Sequence, residues 1–336
     1  MITTPLAVLA ALVSMSDANA AGFQVKTMRD TLPTRQVERG LLNGKGWLEF
    51  GLGYDYKLAT EYWDTNGEAQ DFENAEWLYT TQRLDIRYGV ARRGEFYWTI
   101  KTHYVKLQND LYGTDTDQFG WGDPNFGYKW EAFHSLAPLT SLIIYADYKA
   151  PFANESPGNY VGQPNSFQSF VMTTGTPDLS IGVRFKRQLG PAAFTGGAAY
   201  VHRFGGVATY LVETSQNQFN ARIKPGDMQK LDGDLMLQLG PVAPHATVYY
   251  EQHGLVRTGT SAGGLFPNRR LQPWEDTDGW SLDVVPGVII NATRGMDVDL
   301  AARIPLRGED TLVFFPIEDL SPTLGNTYSA TLRFRY

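Results

Sequence analysis

Leu48-Glu49-Phe50-Gly51-Leu52-Gly53-Tyr54-Asp55-Tyr56-Lys57-Leu58 alternates without a break. Leu48, Phe50, Leu52, Tyr54, Tyr56 and Leu58 share one parity, and Glu49, Gly51, Gly53, Asp55 and Lys57 share the other. Successive side chains of a strand point to opposite faces, so the stretch reads as a strand with one apolar and one polar face. Strands of soluble proteins usually run about 5–6 residues. A tilted strand that crosses a bilayer needs about 9–11.

The same pattern recurs along the chain. Phe96, Trp98, Ile100 and Tyr104 oppose Glu95, Thr99, Lys101 and His103. Phe126, Tyr128 and Trp130 oppose Asn125, Lys129 and Glu131. Leu179, Ile181, Val183 and Phe185 oppose Ser180, Gly182, Arg184 and Lys186. Met296, Val298, Leu300 and Ile304 oppose Asp297, Asp299 and Arg303. Strands are expected near 46–57, 77–90, 95–108, 123–134, 138–150, 177–189, 191–204, 228–239, 241–257, 278–290, 294–304 and 325–336. The segments at 138–150, 191–204 and 241–257 alternate least cleanly.

The connections alternate in length. Arg92-Arg93-Gly94, Ser135-Leu136-Ala137, Gly190, Gly240 and Asn291-Ala292-Thr293 are short, whereas 58–76, 109–122, 151–176, 205–227, 258–277 and 305–324 are long. Short turns on one side and long loops on the other imply an all-β fold: a transmembrane antiparallel up-and-down β-barrel of about twelve strands. The even strand number puts both termini on the short-turn, periplasmic side.

Composition agrees. The 336 residues are 43% apolar, 13% aromatic and rich in Gly, with a mean hydropathy of −0.29. After residue 20 no run approaches the ~18–20 apolar residues of a spanning helix. Cysteine is absent, which excludes disulfides and thiolate metal sites. The net charge of −7 argues against a nucleic-acid partner.

Residues 1–20 read as a signal peptide, with an apolar core from Pro5 to Val13 and small residues at Ala18-Asn19-Ala20, though the first residues lack Lys or Arg. Cleavage would remove Asp17 and no base, so the mature charge is −7 + 1 = −6. Residues 21–45 form a basic arm carrying Lys26, Arg29, Arg35, Arg39 and Lys45. The arm either hangs in the periplasm or folds into the barrel as a plug, and residues 46–336 form the barrel. At the far end Tyr328, Ala330, Leu332, Phe334 and Tyr336 oppose Ser329, Thr331, Arg333 and Arg335. A chain that stops on an aromatic in register with the apolar face carries the kind of last strand that assembly machinery reads, so Phe334 and Tyr336 are expected to be an assembly signal.

Phe119-Gly120-Trp121-Gly122-Asp123-Pro124-Asn125-Phe126-Gly127-Tyr128-Lys129 resembles a Gly-Asp motif at a strand start in outer-membrane transporters of the phenol meta-pathway type, and Leu179 to Phe185 looks like another strand of that family. The motif covers about a dozen residues, and the rest of the resemblance is layout. It implies a small barrel through which hydrophobic or aromatic compounds pass, and it implies no catalytic residues.

A twelve-stranded barrel lies between those filled by side chains and wide porins, so a narrow lumen is expected. Glycines 51, 53, 127, 182, 197 and 287 fall on the inward parity and either leave space there or relieve strand curvature. Inward parity assigns Arg83, Arg87, Lys101, Lys129, Lys149, Arg184 and Lys186 to the first half, with Asp85, Glu95, Glu131 and Asp147. It assigns Asp232, Asp234, Glu251, Asp283, Asp297 and Asp299 to strands eight to eleven, opposed there by Arg303. A basic wall facing an acidic wall would set up a transverse field; the alternative is that the charges pair across the lumen and close it.

The loops are acidic. Residues 58–76 hold Glu61, Asp64, Glu68, Asp71, Glu73 and Glu76 without a base, and 109–122 hold Asp110, Asp115 and Asp117. Asp115-Thr116-Asp117 with Gly120 faintly matches a calcium loop, but Phe126 stands where the bidentate Glu belongs. The ordinary reading of such runs is solvated surface. An enzyme needs a nucleophile beside a base. None of His103, His134, His202, His245 and His253 stands in a His-x-Ser-Asn arrangement, and Ser166 and Ser169 have no local His. No phosphate loop and no zinc motif is present.

The sequence therefore points to a non-enzymatic channel or transporter of a Gram-negative outer membrane, without cofactor or metal, for small-molecule solutes. Its expected partners are outer-membrane lipids and lipopolysaccharide, periplasmic chaperones and the barrel-assembly machinery. A closed surface barrel whose acidic loops bind or support is the alternative, and an outer-membrane hydrolase a third.

Overall fold

The structure is a computed structural model that describes residues 32–71, 75–109, 114–136, 138–152, 159–160, 176–212, 217–259, 271–273, 278–309 and 323–336. The signal segment, the first part of the arm, Asp110, Ser166 and Ser169 lie outside the described residues.

Twelve strands make the wall: β1 (Leu48–Ala59), β2 (Ala75–Ala91), β3 (Gly94–Asn109), β4 (Asn125–Leu136), β5 (Leu139–Lys149), β6 (Asp178–Leu189), β7 (Ala192–Arg203), β8 (Met228–Leu237), β9 (Val242–His253), β10 (Gly279–Thr293), β11 (Met296–Glu309) and β12 (Thr327–Arg335). Each pairs antiparallel with its neighbours in sequence, and β1 pairs with β12 from Glu49↔Arg335 to Lys57↔Thr327, which closes the barrel. Closure matters because lipid offers no hydrogen bonds to a free strand edge. No helix among the described residues is long and apolar enough to cross a membrane; strands do the crossing.

Alternation in the sequence becomes alternation in burial. Along β1, Glu49, Gly51, Gly53 and Lys57 are buried while Tyr54, Tyr56 and Leu58 are exposed. The outward aromatics Tyr54, Tyr56, Trp98, Tyr128, Trp130, Tyr328 and Tyr336 are all exposed, as are mid-strand Ile181, Leu231, Leu235 and Leu300. On a soluble protein so continuous an apolar surface would aggregate; here it is the lipid-facing belt with aromatic girdles.

The three segments of weak alternation are strands β5, β7 and β9. Some of their inward positions, those nearest the short turns, are small or apolar for local reasons. Ala193 and Ala243 are buried at the short-turn end, as are Leu139 and Ile143, near the level where the arm's Val37 is fully buried. The turns Gly190-Pro191 and Gly240-Pro241 each place glycine at positive φ, 63° and 62°, which suits a tight reversal.

Two features depart from the expected layout. The long connections are not all loop: Gly206–Val212, Asn217–Lys224, Arg257–Gly259, Gln272–Pro273 and Asn159–Tyr160 form a five-stranded sheet, and Glu61–Trp63, Ala69–Asp71 and Thr323–Leu324 a three-stranded one. Thr114–Trp121, expected as loop, is also a strand; it pairs with β3 from Thr102↔Trp121 to Asn109↔Thr114, so its extended backbone does not wrap an ion. Below it, β3 pairs with β4 from Gly94↔Trp130 to Thr99↔Asn125. The fourth place in the wall is thus two pieces separated at Gly122-Asp123-Pro124. The gap is bridged by Gly122 N–H to the Lys101 carbonyl (2.9 Å) and Ala150 N–H to the Pro124 carbonyl (3.0 Å).

Candidate functional site: the barrel lumen

The lumen is built from cross-strand rows in which an inward side chain, a small residue and a second inward side chain follow one another. In the row Arg184↔Gly197↔Asp232, Arg184 crosses the glycine to bond Asp232 at 2.7 Å. A Cβ on Gly197 would stand 2.6 Å from Asp232 Oδ1. His245 lies in the same way against Gly287. The inward glycines therefore let neighbouring polar side chains lie flat along the wall and meet.

On the β1–β3 side, Arg83 Nε donates to Asp85 (3.0 Å) and its Nη2 to Thr331 (3.3 Å), with Asp55 at 3.7 Å. Lys101 stands beside Arg83 in register. Arg87 pairs with Glu49 at 3.4 Å. Lys129 pairs with fully buried Glu95 at 3.4 Å and sits 4.5 Å from the centre of the Tyr97 ring. On the other side, Asp234 accepts from Thr247 (2.9 Å), and its Oδ1 lies 3.3 Å from His245 Nδ1. Asp299 lies 3.2 Å from His245 Nε2 and accepts from Arg333 at 2.7 Å. Asp283 accepts from Arg303 Nε at 2.7 Å and from its Nη2.

These pairings correct the expected division into a basic and an acidic wall. The carboxylates of β8–β11 are answered by Arg184, Lys230, His245, Arg303, Arg333 and Arg335. Within β8–β11 Lys230 stands on the inward face beside Arg303, and Arg333 and Arg335 reach these acids from β12. Arg333 and Arg335 were visible on the inward parity of the terminal strand. Long basic side chains reach across one or two strands, so charges counted wall by wall do not stay on their walls.

The described part of the arm, from residue 32, lies across the short-turn end of the lumen. Gln36 N–H donates to Gln238 (2.7 Å), its amide to Asn291 (2.5 Å) and Asp297 (3.2 Å), and its carbonyl accepts from Lys186 (3.1 Å). Arg39 bonds Asp297 (2.8 Å), and Asn43 N–H donates to Glu95 (2.7 Å). Gly46 N–H reaches the Gly89 carbonyl at 2.6 Å. Five strands, together with Gln238 just past the end of β8, thus hold one short segment. Asp297, fully buried, is the hub: it also takes Arg333 (3.1 Å) and Arg335. Sequence reading singled out Asp297 and Lys186 but not Gln36, Gln238 or Asn291, whose neutral amides carry no patterning signal.

At the seam, Tyr336 N–H donates to Leu48 (2.9 Å) and Leu48 N–H to Tyr336 (3.0 Å), while the Tyr336 ring meets Phe50 edge-on with centroids 6.5 Å apart. Phe334 lies in register with Phe50 on β1 and Met296 on β11. No group of three or more metal-ligating side chains exists among the described residues.

A closed barrel of this strand number, belted with aromatics and lined with paired charge, has the architecture of the outer-membrane β-barrels. Comparison with solved structures agrees. An outer-membrane channel from Pseudomonas putida F1 superposes with a TM-score of 0.63 at 10% identity, over 90% of this chain and 98% of that one. The β-domain of the Bordetella autotransporter BrkA superposes at 0.46 with 9% identity, over 87% of this chain and 100% of that one. The monoaromatic hydrocarbon channel TodX superposes at 0.43 with 8% identity, over 87% and 90%. No family model matches the chain, and no curated protein matches its sequence. The resemblance to phenol meta-pathway transporters thus rests on the motif at 119–129, the strand at 179–185 and the layout of strands and loops.

Proposed function

We propose that the protein is an outer-membrane channel that passes small solutes passively through its lumen, with the arm as a plug at the periplasmic end. The observation that carries this reading is the segment from Gln36 to Gly46, bonded to groups of five strands and to Gln238 across one end of a polar lumen. A purely structural barrel needs no such transverse segment. The plug is tied by exchangeable polar bonds rather than by a strand pairing, which suits displacement. In this reading the chain is exported by its first twenty residues, escorted by periplasmic chaperones and inserted by the assembly machinery through Phe334 and Tyr336.

The test is single-channel conductance in planar bilayers, comparing the refolded chain from Ala21 with one that begins at Gly46. Small steps from the first and larger ones from the second are expected. Two silent bilayers, with both proteins shown to be inserted, would overturn the reading.

A second reading, exit of apolar solutes through the wall, is favoured by the break at Gly122-Asp123-Pro124. Phe119, Trp121 and Phe152 near it are among the most exposed aromatics of the described residues. Sealing the break with a Cys pair across it and finding unaltered uptake of an apolar solute into liposomes would remove that route.

A further inference from the structure

The lumen charges come in pairs, and in several of them the base is much the more accessible member, although beside His245 the order is reversed. The side chain of Arg184 is 42% exposed against 14% for Asp232, Arg87 37% against 5% for Glu49, Lys230 37% against 9% for Glu251, and Arg303 34% against 3% for Asp283. The same order holds for Arg83 with Asp55 and Asp85. In each case a short carboxylate lies against the wall and the long base lies over it. A solute in the lumen therefore meets cationic groups, although the formal charges nearly cancel.

Three tyrosines join these cations on the inward face. Tyr249 lies between Asp232 and Asp283 in register, and Arg303 stands 5.4 Å from the centre of its ring. Tyr97 carries Lys129 over its ring and lies against Gly127, and Tyr145 lies against Gly182. Guanidinium groups match a carboxylate in shape and charge and are weakly hydrated. Aromatic faces beside them give a flat partner for a ring. Low-dielectric walls focus the field of the exposed cations along the lumen axis.

We infer that the lumen above the arm is an anion-selective site for small aromatic carboxylates, with the Arg184–Asp232 pair at its centre. This deepens the channel reading by naming its solute class, and it rests on solutes reaching the lumen. Arg184 would turn its free N–H groups to the solute while Asp232 keeps it in place, and the tyrosine rings would bracket the aromatic ring.

The test uses the refolded chain from Ala21 in an uncharged detergent, with empty micelles as the blank. Fluorine NMR would follow binding of 4-fluorobenzoate, 4-fluorobenzyl alcohol and 4-fluorobenzylamine. The carboxylate is expected to bind in preference to the other two. The double variant R184Q/D232N, which removes the exposed cation without stranding a buried carboxylate, is expected to weaken it at least about tenfold. Arg184→Lys, which keeps the charge, is expected to retain most of it. Equal binding of the three probes, or carboxylate binding unmoved by R184Q/D232N, would overturn the proposal. Reversal potentials in a salt gradient give a second readout: a channel that prefers potassium to chloride would overturn anion selectivity while leaving passage intact. A silent bilayer together with selective carboxylate binding would uphold the site and refute passage.

Discussion

Replacing Asp297 by Asn should release the arm more than it destabilises the barrel. Asp297 is fully buried; its Oδ2 accepts from Arg39 (2.8 Å), Gln36 (3.2 Å) and Arg335, and its Oδ1 from Arg333 (3.1 Å). Asn keeps one acceptor oxygen and turns an NH2 toward guanidinium groups that also only donate. Removing one partner of a buried ion pair costs about 3–5 kcal/mol. The cost is unevenly shared. Arg333 keeps Asp299 at 2.7 Å and Arg335 keeps Glu49, both within the wall. Arg39 keeps only the carbonyls of Pro33 (3.2 Å) and Arg294 (3.3 Å) among the described residues. Most of the loss falls on arm docking, and about 3 kcal/mol there means roughly a hundredfold shift toward the undocked state. Hydrogen exchange of a peptide covering 32–46 would report it, with peptides from β2 and β7 as internal references. Unchanged exchange in 32–46, or a rise of equal size throughout β11 and β12, would refute the assignment of Asp297 as the hub that holds the arm.

Other outcomes follow from single positions. Leu300 is exposed on the lipid side of β11, between Val288 and Ala330 in register; Leu300→Arg should cost about 2–4 kcal/mol in reversible unfolding from lipid vesicles if it lies at the midplane. Gly197→Val should lower stability by about 1–3 kcal/mol through overpacking, whereas Gly233→Ala, whose Cβ would meet nothing nearer than 3.9 Å, should be mild; equal urea midpoints for both would show that no close approach operates at Gly197. At the long-loop end, the Asp64 carboxyl is held below its ordinary value by the Glu68 N–H, together with the Asn66 N–H and the Gln70 amide. A depressed folded value means that the turn is supported above the unfolded value and loses that support as pH falls through the folded one. Order of the turn at 64–68, followed by NMR, should decline only in strongly acid solution and should become independent of pH in Asp64→Asn.

The strand parities were legible because lipid and lumen impose opposite demands on alternate residues. β1 and β12 read cleanly since both faces are fully used: aromatics outward, and Glu49, Asp55, Arg333 and Arg335 inward. β5, β7 and β9 read poorly since part of the inward face of each is covered and does not meet bulk lumen. Gly197 lies beneath its neighbours' side chains, and Ala193, Ala243 and Ile143 are buried at the level of the arm. A small residue that yields space to a neighbour looks the same in sequence as one on a lax strand. The sheets beyond the membrane were illegible for another reason. Segments such as Gly206–Val212 and Asn217–Lys224 pair through the backbone across long connections, and no lipid boundary forces their residues to alternate.

Charge shows most clearly what parity alone leaves out. Parity gives the face of a residue, whereas the field a solute meets depends on which atoms end at the surface. An aspartate places its charge about two bonds from Cα, close to the wall; an arginine places its charge about five bonds away and reaches over the next strand. When the two pair across an inward glycine, the acid is covered and the base is left on top, as at Arg184, Gly197 and Asp232. The glycine therefore helps set the sign of the lumen surface without carrying charge. A side chain at residue 197 would push Asp232 off the wall and expose it beside Arg184. The same variant that probes packing at Gly197 then also probes selectivity: Gly197→Val should reduce any preference for anions even if every charged residue is kept. A preference for anions that survives in a folded Gly197→Val barrel would mean that the cationic lining does not depend on covered carboxylates.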